Sequence, residues 1–280
     1  MMDSFPGVAL IVGASSRMDQ QIIPSNSNAY CTSRLTFVAT GRATSLQLSK
    51  QGCTRLALVD VDLNQTKALA RACRDVGKQD LELLVLTGDL NDAETVRQLM
   101  AQVVEQYGAI YYAANCLDTP MAFGMTADLS LESFKEPAEV VQRTMWLWMR
   151  EEISQALTQE RNKGILSIVN VTTVHGVGSE PQLSSCAAAS RAIVGMTRTT
   201  AMDYVTSGIR VNCVCHSAMA QQPSADTQIQ LEQKLSPSPL GRYLQAEEVA
   251  HAVSFLLATQ SSGITGTTLP VDGGWSLYHY

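Results

Sequence analysis

Short runs of Val, Ile and Leu alternate with longer segments of helical pattern along most of this 280-residue chain. Seven of the apolar runs are strand candidates, at residues 7–13, 54–60, 81–89, 109–115, 164–172, 209–215 and 267–274. Helical patterns occupy residues 41–51, 63–76, 91–107, 132–160, 182–206 and 245–259. Because such alternation is typical of βαβ units, the sequence predicts parallel strands that are connected by crossover helices.

The predicted strands are apolar at consecutive positions, whereas a strand with one exposed face would alternate apolar and polar residues. Strands have this composition when helices cover both faces of their sheet. The chain shows no repeat, low-complexity tract or linker-like segment, and its length suits one large α/β domain. We therefore predict a single domain over residues 1–280, built on an open, doubly wound parallel sheet.

The composition excludes several classes of partner. A formal net charge of −6 and a pI near 5.2 disfavour binding to nucleic acid or to an anionic membrane surface. No apolar run reaches the roughly 20 residues that a membrane-spanning helix needs. The N-terminal GVALIV is too short for the apolar part of a signal peptide. We expect a cytoplasmic protein that binds neither nucleic acid nor a membrane.

Seven cysteines form an odd set without the spacing of a disulfide framework. We interpret them as buried thiols of a reducing compartment. Cys213 and Cys215, in the segment CVC, could suggest a metal site, but no His/Cys pair lies nearby at zinc spacing. Alternate residues of a core strand explain them better, and we expect no metal site.

The sequence motifs, in order, resemble those of the short-chain dehydrogenase/reductase family. The resemblance rests on VALIVGASS, GRATSLQLSKQG, LALVDVD, TGDLND, YYAANC, GILSIVNVTTVHG, SSCAAASRAIVGMTRTTAMDYVTSGIRVNCVC and GITGTTLPVDGG, and it covers nearly the whole chain. It implies a Rossmann-like doubly wound sheet of about seven strands and a homodimer or homotetramer. This divergent sequence resembles fungal members of the family that act in natural-product pathways.

The resemblance implies an NAD(P) site, but its glycine turn is degenerate. The family pattern is Gly-x-x-x-Gly-x-Gly; here Gly13 and Gly41 match the first and last glycine, and the middle one is missing. Asp60 would favour NAD over NADP because its charge repels a 2′-phosphate. Asp60 could instead be a cap or a solvated acid, and Asp89 could contact adenine or cap a helix. Asn115, at the end of the fourth strand, is a further candidate for cofactor binding. The cofactor is NAD(P), with NAD favoured, or none.

Residues 17–40 lie where the middle of this glycine turn should be. A βα connection usually has about 2–6 residues, so this segment is an atypical insertion. Deleting it and inserting Gly-Ile would restore GASSGIGRAT. Two explanations stay open: a retained intron or gene-model error, and a true loop that fills or covers the old cofactor cleft.

The resemblance also shows that the catalytic residues have been replaced. In the family, a Ser holds the substrate oxygen, a Tyr is the acid/base, and a Lys lowers the Tyr pKa and binds the ribose. These three positions carry Thr173, Cys186 and Ser190 here. The family Asn maps, within one residue, to Val141, and the Gly of its Asn-Ala-Gly segment is Cys116. Ordinary hydride-transfer chemistry would therefore lose its proton donor and its ribose anchor.

Polar and reactive side chains should gather at the carboxyl ends of the strands, where open α/β sheets bind ligands. They are Asn115, Cys116, Asp118, Thr173, His175, Cys186, Ser190 and His216. His216 and His175 could be acid/base groups at neutral pH, or rim residues without a role. Cys186 could be a nucleophile, but it would need a nearby cation or base. We expect Arg191 to point elsewhere, which favours an inert buried thiol.

Two further segments have alternative interpretations. Residues 218–240, polar and rich in Pro and Ser, occupy the place of the family's substrate lid and could equally be a plain surface loop. MWLWM, at 145–149, is explained by core or dimer packing, or by an apolar substrate wall.

Three hypotheses about function remain. In the first, which we favour, an enzyme of small-molecule, secondary metabolism has lost redox chemistry and catalyses an isomerisation, cyclisation or dehydration. In the second, the protein is an NAD(P)-dependent oxidoreductase in which other residues have taken over catalysis. In the third, the protein is a non-catalytic pseudoenzyme.

Overall fold

The computed structural model describes Phe5 and residues 7–14, 40–117, 119–159, 165–219 and 238–278. Its centre is a seven-stranded sheet with the order β3-β2-β1-β4-β5-β6-β7, in which all neighbouring strands are parallel. The strands are β1 Val8–Val12, β2 Arg55–Asp60, β3 Glu82–Thr87, β4 Tyr112–Asn115, β5 Leu166–Thr173, β6 Ile209–His216 and β7 Thr268–Val271. Each predicted strand is present, so the predicted doubly wound α/β fold is confirmed.

Helices connect these strands across both faces of the sheet. They are α1 Thr40–Lys50, α2 Leu63–Val76, α3 Ala93–Tyr107, α4 Leu131–Pro137, α5 Arg143–Thr158, α6 Ser184–Tyr204 and α7 Ala246–Leu257. Asp62 and Asp92 begin α2 and α3 by accepting hydrogen bonds from backbone N–H groups of the first turn. Asp92 is thus the cap of α3, a position that one interpretation gave to Asp89.

Two apolar cores lie on opposite faces of the sheet. Along β1, Ala9 and Ile11 pack into the core that α1, α2 and α7 cover, whereas Val8 and Leu10 pack into the core under α3, α5 and α6. Successive side chains of a strand point to opposite faces, so one strand contributes to both cores. This arrangement explains why the strand sequences are continuously apolar.

The predicted helix 132–160 is interrupted. A π-helical turn, Ala138–Gln142, separates α4 from α5 and packs against α6. Pro137 lies at the end of α4, immediately before this turn. Proline has no N–H to donate within a helix and its ring crowds the preceding turn, which gives the irregularity a local cause. Val141, at the family's Asn position, is buried in this π turn.

Several predicted features lie partly or wholly outside the described residues. Of the atypical insertion at 17–40, the structure describes only Thr40, the first residue of α1. Of the lid segment 218–240, it describes residues 218–219 and 238–240. Cys213 and Cys215 lie in the buried strand β6, with their sulfur atoms 3.9 Å apart. Among the described helices, none has the length and apolar character that crossing a bilayer requires.

Candidate active site

The carboxyl ends of β5 and β6 bring together the central residues of the candidate site. Thr173 ends β5, His216 ends β6, and the two are paired in the sheet register. Beyond Thr173 the chain forms a short 3₁₀ turn, Val174–Gly176, that carries His175. A Cβ atom on Gly176 would lie 3.1 Å from the Cys215 sulfur and 3.3 Å from the Ser190 carbonyl oxygen. Glycine therefore lets this turn pack tightly against α6.

The Thr173 hydroxyl contacts three other side chains of the site. Its Oγ1 lies 2.9 Å from Ser190 Oγ, 3.0 Å from His175 Nδ1 and 3.7 Å from Cys186 Sγ. All four side chains are buried. Cys186 and Ser190 both belong to α6, four residues apart, so they share the face that turns towards β5.

His175 joins this group to a carboxylate that the sequence analysis missed. Its Nδ1 lies 3.7 Å from Cys186 Sγ, and its Nε2 lies 3.4 Å from Glu180 Oε2. Both side chains of the imidazole–carboxylate pair are more than nine-tenths buried. Burial disfavours the charged imidazole, but the contacts with Cys186 and Glu180 outweigh this effect and raise the pKa of His175 to about 9. His175 therefore carries a proton at neutral pH.

We call Thr173, His175, Glu180, Cys186 and Ser190 the thiol–imidazole cluster. The interpretation of Cys186 as an inert thiol assumed that no base lies near it, and this premise is wrong because His175 Nδ1 is within sulfur hydrogen-bond distance. Arg191 does point elsewhere: its guanidinium donates to the Gly178 carbonyl and the Ser179 hydroxyl.

The segment that carries Glu180 is held by contacts at both ends. Arg191 binds its first half, and the Gln182 carbonyl accepts a hydrogen bond of 3.0 Å from the Gly124 N–H. Gln182 has a φ of 68°, in the left-handed region that non-glycine residues rarely adopt. A residue in this region is held there by the structure around it. The one signal in the sequence was an isolated acid in the small-residue run VHGVGSEP.

An aromatic ring also contacts His175. Trp275 lies edge-on to the imidazole, with ring centroids 5.6 Å apart, and is itself buried. It begins the 3₁₀ turn Trp275–Leu277, which Asp272 anchors by accepting hydrogen bonds from the Gly274 and Ser276 N–H groups. Trp275 lies about a hundred residues from His175 in the chain, so no local pattern in the sequence connects the two rings.

His216 lies at the same edge of the sheet in a different electrostatic environment. Burial and the nearby charge of His175 lower the pKa of His216 to about 4, although the Ser217 carbonyl opposes the shift. Its Nδ1 donates to that carbonyl at 2.9 Å, because a carbonyl oxygen can only accept. His216 is therefore neutral at physiological pH. Of the two histidines, His175 has the contacts and the charge of a proton donor.

Asn115 lies in a second buried group on the face of the sheet that α5 and α6 cover. Its amide nitrogen donates to Glu152 Oε2 at 3.2 Å and to Asn170 Oδ1 at 3.1 Å, and Asn170 donates to Thr197 Oγ1 at 3.0 Å. We call these four residues the carboxyl–amide cluster. Cys116 follows β4 and is buried. Asp118, predicted to lie at this edge, falls outside the described residues.

Glu152 is wholly buried on α5, and burial raises its pKa from the ordinary 4.5 to about 8, although the Asn115 contact opposes the shift. Within the described part of the chain, Glu152 Oε1 and Asn115 Oδ1 have no hydrogen-bond partner. A neutral carboxyl group, which carries a donor, suits this pair of unpartnered acceptors better than a carboxylate does. Glu152 gave no signal in the sequence, because it lies within an ordinary amphipathic helix.

The residues predicted for cofactor binding do not all lie together: Gly13, Asp60 and Asp89 lie at the ends of β1, β2 and β3, Gly41 lies in α1, and Asn115 ends β4 within the carboxyl–amide cluster. Gly13 has a φ of 72°, and a Cβ on Gly41 would overlap the Gly13 carbonyl oxygen, so α1 begins in direct contact with the turn after β1. Asp60, at the end of β2, is buried and its Oδ1 accepts from the Val61 N–H. Asp89 is exposed and its Oδ1 accepts from the Asn91 N–H.

Comparison with known proteins identifies the family. The model of the family described as enoyl-(acyl carrier protein) reductase matches residues 7–276. The short-chain dehydrogenase fogB of Aspergillus ruber is 32% identical over 254 residues, which cover 85% of this chain and 93% of that protein. This chain belongs to the short-chain dehydrogenase/reductase family.

Other members carry names of dehydrogenases and reductases. A 2,5-dichloro-2,5-cyclohexadiene-1,4-diol dehydrogenase of Sphingobium indicum is 34% identical over 192 residues, covering 67% of this chain and 76% of that one. The crystal structure of levodione reductase superimposes with a TM-score of 0.81 at 25% identity, covering 98% of this chain and 99% of that chain. The fold of this chain is thus that of a short-chain dehydrogenase/reductase.

A dinucleotide of this family fits one half of the site. Gly41 packs against the Gly13 turn at the start of α1, the element that would hold the pyrophosphate, and Asp60 ends β2, where the family's acid would bind a ribose hydroxyl. The other half fits poorly, because Ser190 replaces the ribose-binding lysine with a short neutral side chain that lies 2.9 Å from Thr173. The chain thus retains features for adenosine and lacks those for nicotinamide ribose.

Proposed function

We propose that this protein is a short-chain dehydrogenase/reductase-fold enzyme that catalyses a non-redox proton transfer on a small organic substrate of secondary metabolism. The reaction class is isomerisation, cyclisation or dehydration. One observation carries the proposal: His175, whose Nε2 contacts Glu180, lies 3.0 Å from Thr173 at the position of the family's catalytic Ser. These contacts accompany a His175 pKa that is raised to about 9. We further propose that the protein is a single-domain cytoplasmic homodimer or homotetramer, as the family resemblance implies.

His175 is the general acid of this proposal. Glu180 holds the ring by its Nε2–H, so the Nδ1–H faces Thr173 and Cys186. An acid in this position can protonate the hydroxyl group that leaves in a dehydration, or a carbonyl oxygen during enolisation. Because the pKa of His175 is about 9, the acid form predominates at neutral pH and activity should fall as the pH rises above 9.

Thr173 and Ser190 position the substrate oxygen. Their hydroxyl groups lie 2.9 Å apart at the end of β5, and both can donate a hydrogen bond to an oxyanion that forms during the reaction. A ring substrate is the first class to test, since a relative is named for a cyclohexadiene-diol. Neither hydroxyl group replaces the Tyr and Lys on which the family's hydride chemistry depends.

Deuterium exchange tests this function without a known substrate. The purified protein is incubated in D₂O at pH 7 with cyclohexane-1,4-dione, and loss of the α-hydrogen signals is followed by ¹H NMR. We expect exchange above the buffer rate, and a decrease of about 10²–10⁴-fold in His175→Gln. His251→Gln is the matched control, because His251 is exposed on α7. Exchange no faster than in buffer, or equal in His175→Gln, would contradict the proposal.

An NAD(P)-dependent oxidoreductase with a rewired site is the second candidate. The Gly13–Gly41 contact and Asp60 support it, as do the dehydrogenase names of the relatives. A bound nicotinamide dinucleotide would supply a hydride. Gly41 and Asp60 would hold its adenosine and pyrophosphate, and Thr173 would hold the substrate oxygen.

Titration with NAD(H) and NADP(H) distinguishes the two candidates. Binding is followed by calorimetry and by tryptophan fluorescence, for which Trp275 beside His175 is a reporter. Micromolar binding that Asp60→Ala weakens at least tenfold, while Asp62→Ala does not, would favour the oxidoreductase. No binding up to millimolar concentration, together with proton exchange, would favour the non-redox enzyme. Neither binding nor exchange would favour the pseudoenzyme.

A further inference from the structure

We infer that Cys186 is a nucleophile that adds reversibly to α,β-unsaturated carbonyl compounds, with His175 as its base and Glu180 as the group that orients the base. The inference deepens the proposed function, since it assigns covalent catalysis and a substrate class to the same site. It rests on the geometry of three side chains that come from two separate segments of the chain.

Cys186, His175 and Glu180 contact one another in series, as the nucleophile, base and orienting carboxylate of an activated site do. Cys186 Sγ lies 3.7 Å from His175 Nδ1, and the opposite ring nitrogen lies 3.4 Å from Glu180 Oε2. A nucleophile next to a base, which a third group orients, is the arrangement that makes a thiol reactive. Cys186 lies in the first turn of α6, on the face that also carries Ser190.

Other buried cysteines of the chain lie in different environments. The Cys53 thiol donates to the Arg55 carbonyl, and burial raises its pKa to about 11. Burial also raises the pKa of Cys73. Cys213 lies beside Cys215, and this contact together with burial raises the pKa of Cys213. These thiols provide internal controls for reactivity, because they share the burial of Cys186 and have other partners.

The chemical step balances without an oxidant or reductant. The addition starts from the minor form of the protein in which His175 has first released its proton to solvent. The Cys186 proton then passes to the free Nδ1 of His175, and the sulfur forms a bond to the β-carbon of the substrate. The electron pair of the C=C bond moves towards the carbonyl oxygen, which accepts hydrogen bonds from Thr173 and Ser190. The His175 imidazolium then returns the proton to the α-carbon. One S–H and one C=C π bond are lost, and one S–C and one C–H bond form.

Reversal of this addition accomplishes an isomerisation. In the adduct the former double bond is single and can rotate, so elimination of the thiol can return the alkene with changed geometry. The contact that raises the pKa of His175 fits this cycle, because an imidazolium ion beside Cys186 is the product of the first proton transfer. Thr173, which contacts both Cys186 and Ser190, lies where the enolate oxygen must be stabilised.

The experiment measures adduct formation in the intact protein. Native protein at pH 7 is treated with 2-cyclohexen-1-one, reduced with borohydride to trap the adduct, and analysed by intact mass and by peptide mapping. We expect one added reagent molecule, located on Cys186, and unmodified Cys53 and Cys73. In His175→Gln the rate should fall at least tenfold, whereas His251→Gln should react like the wild type. Cys186→Ser should take up no reagent at this peptide.

Two outcomes overturn the inference. Native wild-type protein may leave Cys186 unmodified while the same thiol reacts after denaturation, or His175→Gln may react as fast as the wild type. The proton-exchange assay separates these failures from failure of the proposed function. Exchange of cyclohexane-1,4-dione without an adduct on Cys186 overturns only the covalent role. An adduct without exchange supports the nucleophile and contradicts the general proton-transfer function.

Discussion

Two buried polar clusters lie on the sheet, and each contains a buried glutamate. They differ in the partner of that glutamate and in the group that holds the proton. In the thiol–imidazole cluster, Glu180 pairs with a histidine, and the pKa of His175 is raised to about 9. In the carboxyl–amide cluster, Glu152 is also buried but contacts the neutral amide of Asn115, and its pKa is raised to about 8. At neutral pH one cluster therefore holds a charged imidazole, whereas the other holds a protonated acid.

The difference shows that burial alone does not set the state of an ionisable group. Desolvation penalises every charge, and a charge persists in the interior only where a partner compensates for it. Glu180 supplies that partner for His175, whereas the described hydrogen bond of Glu152 is with the neutral amide of Asn115. In the first cluster the proton lies on His175, which can donate it to a substrate. In the second cluster the proton lies on Glu152, where it stabilises the packing between β4, β5 and α5.

Removing the Glu152 side chain should have the largest effect on stability. Glu152→Ala leaves a cavity and removes one of the two hydrogen bonds that the buried Asn115 amide donates, so we expect a loss of about 3 kcal/mol in the free energy of unfolding. Chemical denaturation at pH 6 measures this loss. Glu105→Ala, at an exposed position of α3, is the control. A loss below about 1 kcal/mol would mean that the network around Glu152 reorganises easily.

The second largest effect should be the change in the free energy of unfolding with pH, to which the ionisation of Glu152 contributes. Glu152 has a folded pKa of about 8 against an ordinary value of 4.5. Its contribution is therefore full below pH 4.5 and is lost as the pH rises to 8, because the unfolded chain releases this proton first. We expect the wild type to lose about 2 kcal/mol more than Glu152→Gln between pH 5 and 8. Parallel curves for the two proteins would show that Glu152 is ionised when folded.

The smallest effect should come from the ion pair of the thiol–imidazole cluster. A double-mutant cycle with Glu180→Gln and His175→Gln should give a coupling free energy of about 1 kcal/mol at pH 7, because both groups are charged there. Above pH 9 the imidazole loses its proton, so the coupling should shrink. Thermal or chemical unfolding of the four proteins measures it at both pH values. A coupling that does not change with pH would indicate packing rather than charge.

The sequence was sufficient for the fold because its signals are local and repeated. Each of the seven strands carries its own apolar run, and Leu63–Val76 coincides with the predicted helix 63–76. The split of the predicted helix 132–160 was not foreseen. Pro137 is a visible signal there, but the π turn that follows it also depends on packing against α6.

The site was predictable only in part. Spacing placed Thr173, Cys186 and Ser190 together, because the family resemblance aligned them and two of them lie one turn apart on a helix. It could not show that Glu180 turns back to His175, since that depends on the left-handed Gln182 and on the contact of Arg191 with Gly178. It named both His216 and His175 and could not choose between them, because the choice depends on their contacts.

The sequence by itself determined the parallel sheet, its two apolar faces and the loss of the Tyr and Lys of the family, because these follow from residue type and order. The tertiary structure decided the protonation of His175, Glu152 and His216. Each of these pKa values depends on which side chains lie within a few ångströms and on how completely water is excluded, and no local pattern of residues encodes those distances.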